Sequence, residues 1–96
     1  MKQMHCLERV HQDKIESCKL TPNGRSIVSI GRDCLIKITD FYSQKTLATI
    51  EHPYLVVPSA GCTLDISANG KYVAVGSSDG SVLIFNLTTF ELEEIY

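Results

Sequence analysis

Within its first 33 residues the 96-residue chain carries the residue types of a hydrolytic triad, His11, Ser29 and Asp33. A serine hydroxyl, a histidine to take its proton and a carboxylate to orient the imidazole would together perform acyl transfer. That chemistry is defined by geometry and by an oxyanion hole, which residue types alone do not supply. Residues 76–80, GSSDG, form a second candidate, a glycine-rich loop of the kind that cradles phosphate. The lysine and the following helix of such a loop are missing, and a hairpin turn accounts for the stretch. The four cysteines, Cys6, Cys18, Cys34 and Cys62, form no CxxC pair, and the three histidines do not complete a tetrahedral zinc set. No cofactor or metal is therefore expected. The thiols are expected to be reduced, with Cys18 and Cys62 serving as small hydrophobes within strands.

Composition excludes several function classes. The net charge is −2 and the nine Lys and Arg form no cluster, which argues against a basic face for nucleic acid or an anionic membrane. The longest apolar runs, residues 54–57 and 82–85, are too short to cross a bilayer or to form a signal-peptide core. A cytoplasmic location without direct membrane insertion is the expectation.

The elements that must position these residues come from an internal repeat. Residues 20–40, LTPNGRSIVSIGRDCLIKITD, align without a gap on residues 66–86, ISANGKYVAVGSSDGSVLIFN. Asn23-Gly24 falls on Asn69-Gly70, Asp33 on Asp79 and Asp40 on Asn86, a constant offset of 46 positions. Repeats of this period specify a repeat architecture. Asn-Gly tolerates positive φ and suits a tight hairpin turn, and the flanking apolar runs read as strands. Ile27, Val28 and Ile30, like Val73 to Val75, are near-continuous rather than alternating, the mark of strands buried on both faces. Helical periodicity appears nowhere. The chain therefore reads as all-β, with two four-stranded antiparallel units and one leading strand. Residues 1–10 are the outer strand of a preceding unit, 11–50 the first unit, 51–61 an irregular insert and 62–96 the second unit. A sheet that is apolar on both faces needs a neighbour on each side, which is the logic of a propeller blade.

These residues resemble the WD40 repeat family. The first unit supplies His11, Ile15, Thr21-Pro22-Asn23-Gly24, Ser29, Asp33 and Thr39-Asp40, the last in place of Trp-Asp. The second supplies Ser67-Ala68-Asn69-Gly70, Gly76-Ser77, Asp79-Gly80 and Phe85-Asn86. The resemblance implies a buried hydrogen-bonded set within a blade, with His11, Ser29, Asp33 and Asp79 at matching positions. Thr39 has no indole N–H, so the set is truncated in the first unit, and Val75 replaces the serine in the second. This structural reading of the triad-like residues displaces catalysis, and no enzyme is expected. Within the family, RDCLIKITD followed by VAVGSSDGSVLIF is most similar to the C-terminal propeller of the autophagy-related 16-like scaffolds. The resemblance implies a non-catalytic platform that recruits protein partners and places the lipid-conjugation machinery of autophagy. The alternatives are an adaptor in another pathway, such as a ubiquitin-ligase substrate receptor, or an enzyme. Neither Asp40-Phe-Tyr-Ser nor Asn86-Leu-Thr-Thr carries the arginine that ligase adaptors of this family use, and the Arg-Arg pair of phosphoinositide-binding propellers is absent.

Within the insert, Tyr54, Leu55 and Val56 are the candidate partner-contact residues, because exposed aromatic and aliphatic clusters mark interfaces. The open blade faces require either further blades or self-association, and a ring of whole copies would hold an even number of blades.

Overall fold

The computed structural model describes residues 15–56 and 64–96. Eight strands form two four-stranded antiparallel meanders in simple sequence order. The first sheet comprises β1 (Ile15–Leu20), β2 (Ser26–Gly31), β3 (Ile36–Asp40) and β4 (Thr46–Ile50), and the second β5 (Leu64–Ile66), β6 (Tyr72–Gly76), β7 (Val82–Asn86) and β8 (Leu92–Ile95). The proposed leading strand and His11 lie outside the described residues.

Register decides which residues meet between the sheets. In the first sheet Val28 pairs with Ile38, Ile30 with Ile36, and Ile36 with Ile50. Alternate residues point to one face, so these five present a single apolar surface. In the second sheet Val73 pairs with Phe85 and Val75 with both Leu64 and Leu83. The two surfaces pack into one core that also contains Leu55. Positions at the repeat offset therefore do different work. Val28, Ile30, Ile36 and Ile38 face the second sheet, whereas their counterparts Ala74, Gly76, Val82 and Ile84 lie on its far face. This is the translation of blade onto blade that a propeller requires.

The repeat extends to the backbone of the turns. Gly24 and Gly70 both have φ of 74°. Cys34 (φ 64°) and Gly80 (φ 90°) occupy equivalent places, as do Gln44 (φ 61°) and Phe90 (φ 63°). Asn23 Oδ1 accepts from Arg25 N at 3.0 Å, and Asn69 Oδ1 from Lys71 N at 3.0 Å. One turn chemistry is thus used twice. Among the described residues no helix is long and apolar enough to cross a membrane.

Candidate interaction surface

In a meander, successive turns lie at opposite ends of the sheet. One end carries the β2–β3 and β6–β7 turns together with residues 51–56, the first part of the insert. Here His52 and Pro53 begin a tight turn, closed by Leu55 N donating to the His52 carbonyl at 3.0 Å. Tyr54 N donates to His52 Nδ1 at 3.2 Å. Leu55 is 2% exposed and belongs to the inter-sheet core, which removes it from the expected contact set. The reason is geometric: the turn reverses the chain above the core, and the residue that closes it drops into the gap between the sheets. Tyr54 (59% exposed) and Val56 (47%) remain on the surface on either side of it.

Ser77 secures this arrangement. Its hydroxyl donates to the Tyr54 carbonyl at 2.7 Å and accepts from Val56 N at 3.2 Å. Ser78 N donates to the Val56 carbonyl at 2.8 Å. The insert is thereby clasped to the β6–β7 turn by a buried serine whose role sequence reading did not register. A Ser-Ser pair before an Asp-Gly turn carries no signal of a distant partner, and the bond exists only once the insert has folded back. Preorganised, partly apolar surfaces of this kind suit protein recognition, because little is left to order on binding.

The remaining anticipated residues are placed as follows. The Ser29 side chain is buried, and its hydroxyl donates to the Lys37 carbonyl at 3.4 Å. Asp33 Oδ1 accepts from Leu35 N at 3.2 Å, and Asp79 Oδ1 from Ser81 N at 2.9 Å, both turn-forming bonds. The bond from Ser81 N holds the Asp79 carboxyl below the ordinary range. Thr39, at the tryptophan position, is 2% exposed and its Oγ1 has no hydrogen-bond partner. Its counterpart Phe85 is buried, and the His52 ring meets it at 6.1 Å in an edge-on contact. Cys18 and Cys34 are half-buried thiols, and burial raises the Cys18 pKa. Among the described residues no group of three or more His, Cys, Asp or Glu could hold a metal ion.

The profile of the WD40 family (WD domain, G-beta repeat) matches residues 1–40 and 45–86, and the chain belongs to that family. Its two sheets are adjacent blades of a WD40-type propeller. Among curated proteins it is 31% identical over 83 residues to Protein tipD of Dictyostelium discoideum and 31% identical over 78 residues to Autophagy-related protein 16 of Arabidopsis thaliana. It is 24% identical over 84 residues to U3 small nucleolar RNA-associated protein 13 of Saccharomyces cerevisiae. The matches cover 85%, 81% and 88% of this chain, which spans only 14%, 15% and 10% of those relatives. Among solved structures, the RRP9 WD40 repeats superpose with a TM-score of 0.78 and U3-55K with 0.76, each at 27% identity. Each match covers 90% of this chain, and 26% and 27% of those structures respectively. WD40 domains are protein-interaction scaffolds and generally non-catalytic, and this chain is a segment of that class.

Proposed function

We propose that the chain is the two-blade portion of a non-catalytic, cytoplasmic scaffold that recruits proteins for autophagosome assembly. The observation that carries the binding role is the clasped segment, in which Leu55 and Ser77 hold Tyr54 and Val56 outward. The autophagy assignment is supported by the 31% identity to Autophagy-related protein 16, against 24% to the U3-associated relative. The RDCLIKITD run and the VAVGSSDG run lend it further support. The match to U3 small nucleolar RNA-associated protein 13, at 24% identity, favours a second reading, a scaffold within a small-nucleolar RNA-associated assembly.

The test is affinity purification of the intact protein from its source cell, followed by mass spectrometry. Autophagy-conjugation proteins should co-purify, and a Tyr54→Ser, Val56→Ser double variant of unchanged melting temperature should lose them. Recovery of small-nucleolar ribonucleoprotein components instead would replace the first reading by the second, and recovery of ubiquitin-ligase subunits would overturn both.

A further inference from the structure

Each blade carries one Asn-Gly pair, Asn23-Gly24 and Asn69-Gly70, and both asparagines are exposed to water. Such a pair can rearrange without an enzyme. The glycine amide nitrogen attacks the asparagine Cγ, and the new C–N bond closes a five-membered imide. The Cγ–Nδ2 bond breaks, and ammonia leaves with the proton that the glycine N–H gave up. Water then adds to either imide carbonyl and opens the ring to aspartate or isoaspartate, with no oxidant or reductant involved. Glycine favours the attack because it has no side chain in the way. Ring closure requires the asparagine Cβ and the glycine nitrogen to lie on the same side of the asparagine Cα–C bond.

The folded turns deny that geometry. Gly24 N donates to the Thr21 carbonyl at 2.8 Å and Gly70 N to the Ser67 carbonyl at 2.9 Å, so each asparagine stands third in a four-residue turn. Neither asparagine has a positive φ, which makes the turns type I, with ψ of about 0° at that position. At such a ψ the glycine nitrogen eclipses the asparagine's own nitrogen and is turned away from Cβ. The side chains are fixed as well. Asn23 Oδ1 accepts from the Thr21 hydroxyl at 2.7 Å and from Arg25 N at 3.0 Å. Asn69 Oδ1 accepts from the Ser67 hydroxyl at 2.6 Å and from Lys71 N at 3.0 Å. Each hydroxyl also ties the neck of its turn, accepting from Ser26 N at 3.1 Å or Tyr72 N at 3.0 Å. Donors on Oδ1 polarise Cγ, but that helps the attack only when the nitrogen can reach it. We propose that Asn23 and Asn69 are latent isoaspartate-forming sites, closed by the folded turns and opened when a turn unravels. Isoaspartate routes the main chain through the former side chain and lengthens it by one atom, so the four-residue turn cannot close again. Aspartate keeps an Oδ1 that accepts the same bonds. Prolonged unfolding would thus leave a covalent mark in the turns that both blades use.

The experiment ages the intact protein in mildly alkaline buffer, folded and in urea, and quantifies isoaspartate at each site by peptide mapping with electron-transfer fragmentation. Both sites should convert in urea, and about tenfold or more slowly in the folded protein. In the folded protein Thr21→Ala should speed conversion about fivefold at Asn23 and leave Asn69 unchanged, and Ser67→Ala should do the reverse. Refolded molecules that carry isoaspartate should melt below the Asn23→Asp, Asn69→Asp double variant. Equal rates with and without urea, or no isoaspartate from the unfolded chain, overturn the proposal. A rise at both sites in either single variant overturns it too, because global unfolding would then be the gate. So does an isoaspartate form that melts with the double variant.

Discussion

Thr39 and Cys34 are two places where the repeat puts an ill-suited residue into a demanding position. The Thr39 hydroxyl is buried and has no hydrogen-bond partner, and a buried unpaired hydroxyl costs more than the methyl that could replace it. Thr39→Val should therefore raise stability by about 1 kcal/mol in denaturant unfolding. A loss of stability would mean that the hydroxyl is engaged. Cys34 holds φ at 64°, where its counterpart in the second blade is glycine. Side chains other than glycine adopt that region at a cost of about 1–2 kcal/mol. Cys34→Gly should stabilise by roughly 1 kcal/mol, and Gly80→Ala should destabilise by a similar amount. Both residues stand out in the aligned repeat, Thr39 as a departure from Trp-Asp and Cys34 as the residue opposite Gly80. The burial that makes Thr39 costly could not be read from sequence, because it depends on what covers the far side of β3.

The turns and the insert differ in how far sequence determines them. Asp40 and Asp79 follow the short-range rule that Asp bonds nearby amides: Asp40 Oδ2 accepts from Ser43 N at 2.7 Å, and Asp79 Oδ1 from Ser81 N. These bonds hold both carboxyls below the ordinary range, with the positive charge of Arg25 a smaller contribution at Asp40. A carboxyl depressed in the folded state stabilises fully above the unfolded Asp value of about 4 and loses that contribution as pH falls through the folded value. Asp40→Asn and Asp79→Asn should each flatten the acid limb of stability between about pH 5 and pH 2, measured by thermal melts across that range. The insert obeys no such local rule. Leu55→Ala should cost about 3 kcal/mol, as for other fully buried leucines, and Ser77→Ala about 1–2 kcal/mol for the unpaired backbone groups it leaves. Equal, negligible losses on melting would show that the insert is not clasped. Prolines on either side of residues 54–57 made a surface excursion the natural expectation. Folding sends its middle residue into the core instead, because the space between two sheets at the end of β4 has to be filled.

At the scale of the molecule, the two sheets present unlike outer faces. Ile27, Ser29 and Thr39 on the first are buried, while Tyr72 and Val82 on the second are more than a third exposed. With Ala74, Ile84 and the exposed Tyr96, these residues form an apolar face fringed by Glu93 and Glu94. By the translation of the repeat, this face corresponds to the one that Val28, Ile30, Ile36 and Ile38 bury against the second blade, so a further sheet of the same kind is its natural cover. The isolated 96-residue chain should accordingly self-associate, with a light-scattering mass that rises with concentration. Tyr72→Lys, Val82→Lys should suppress the association. A single-chain mass at every concentration would count against an uncovered blade face.

The architecture and its turns were legible in the sequence because they rest on local physics. An ungapped repeat, Asn-Gly and Asp turns and two-sided apolar strands specify meanders that stack, whatever else surrounds them. What only the tertiary structure decided was the fate of residues brought together across the gap between blades. Leu55 became core rather than contact, and Ser77 became a clasp over more than twenty residues of sequence separation. Those outcomes depend on the distance and register between two sheets. That spacing is set by how Val28, Ile38, Val73 and Phe85 pack together, and no local pattern in either repeat encodes it.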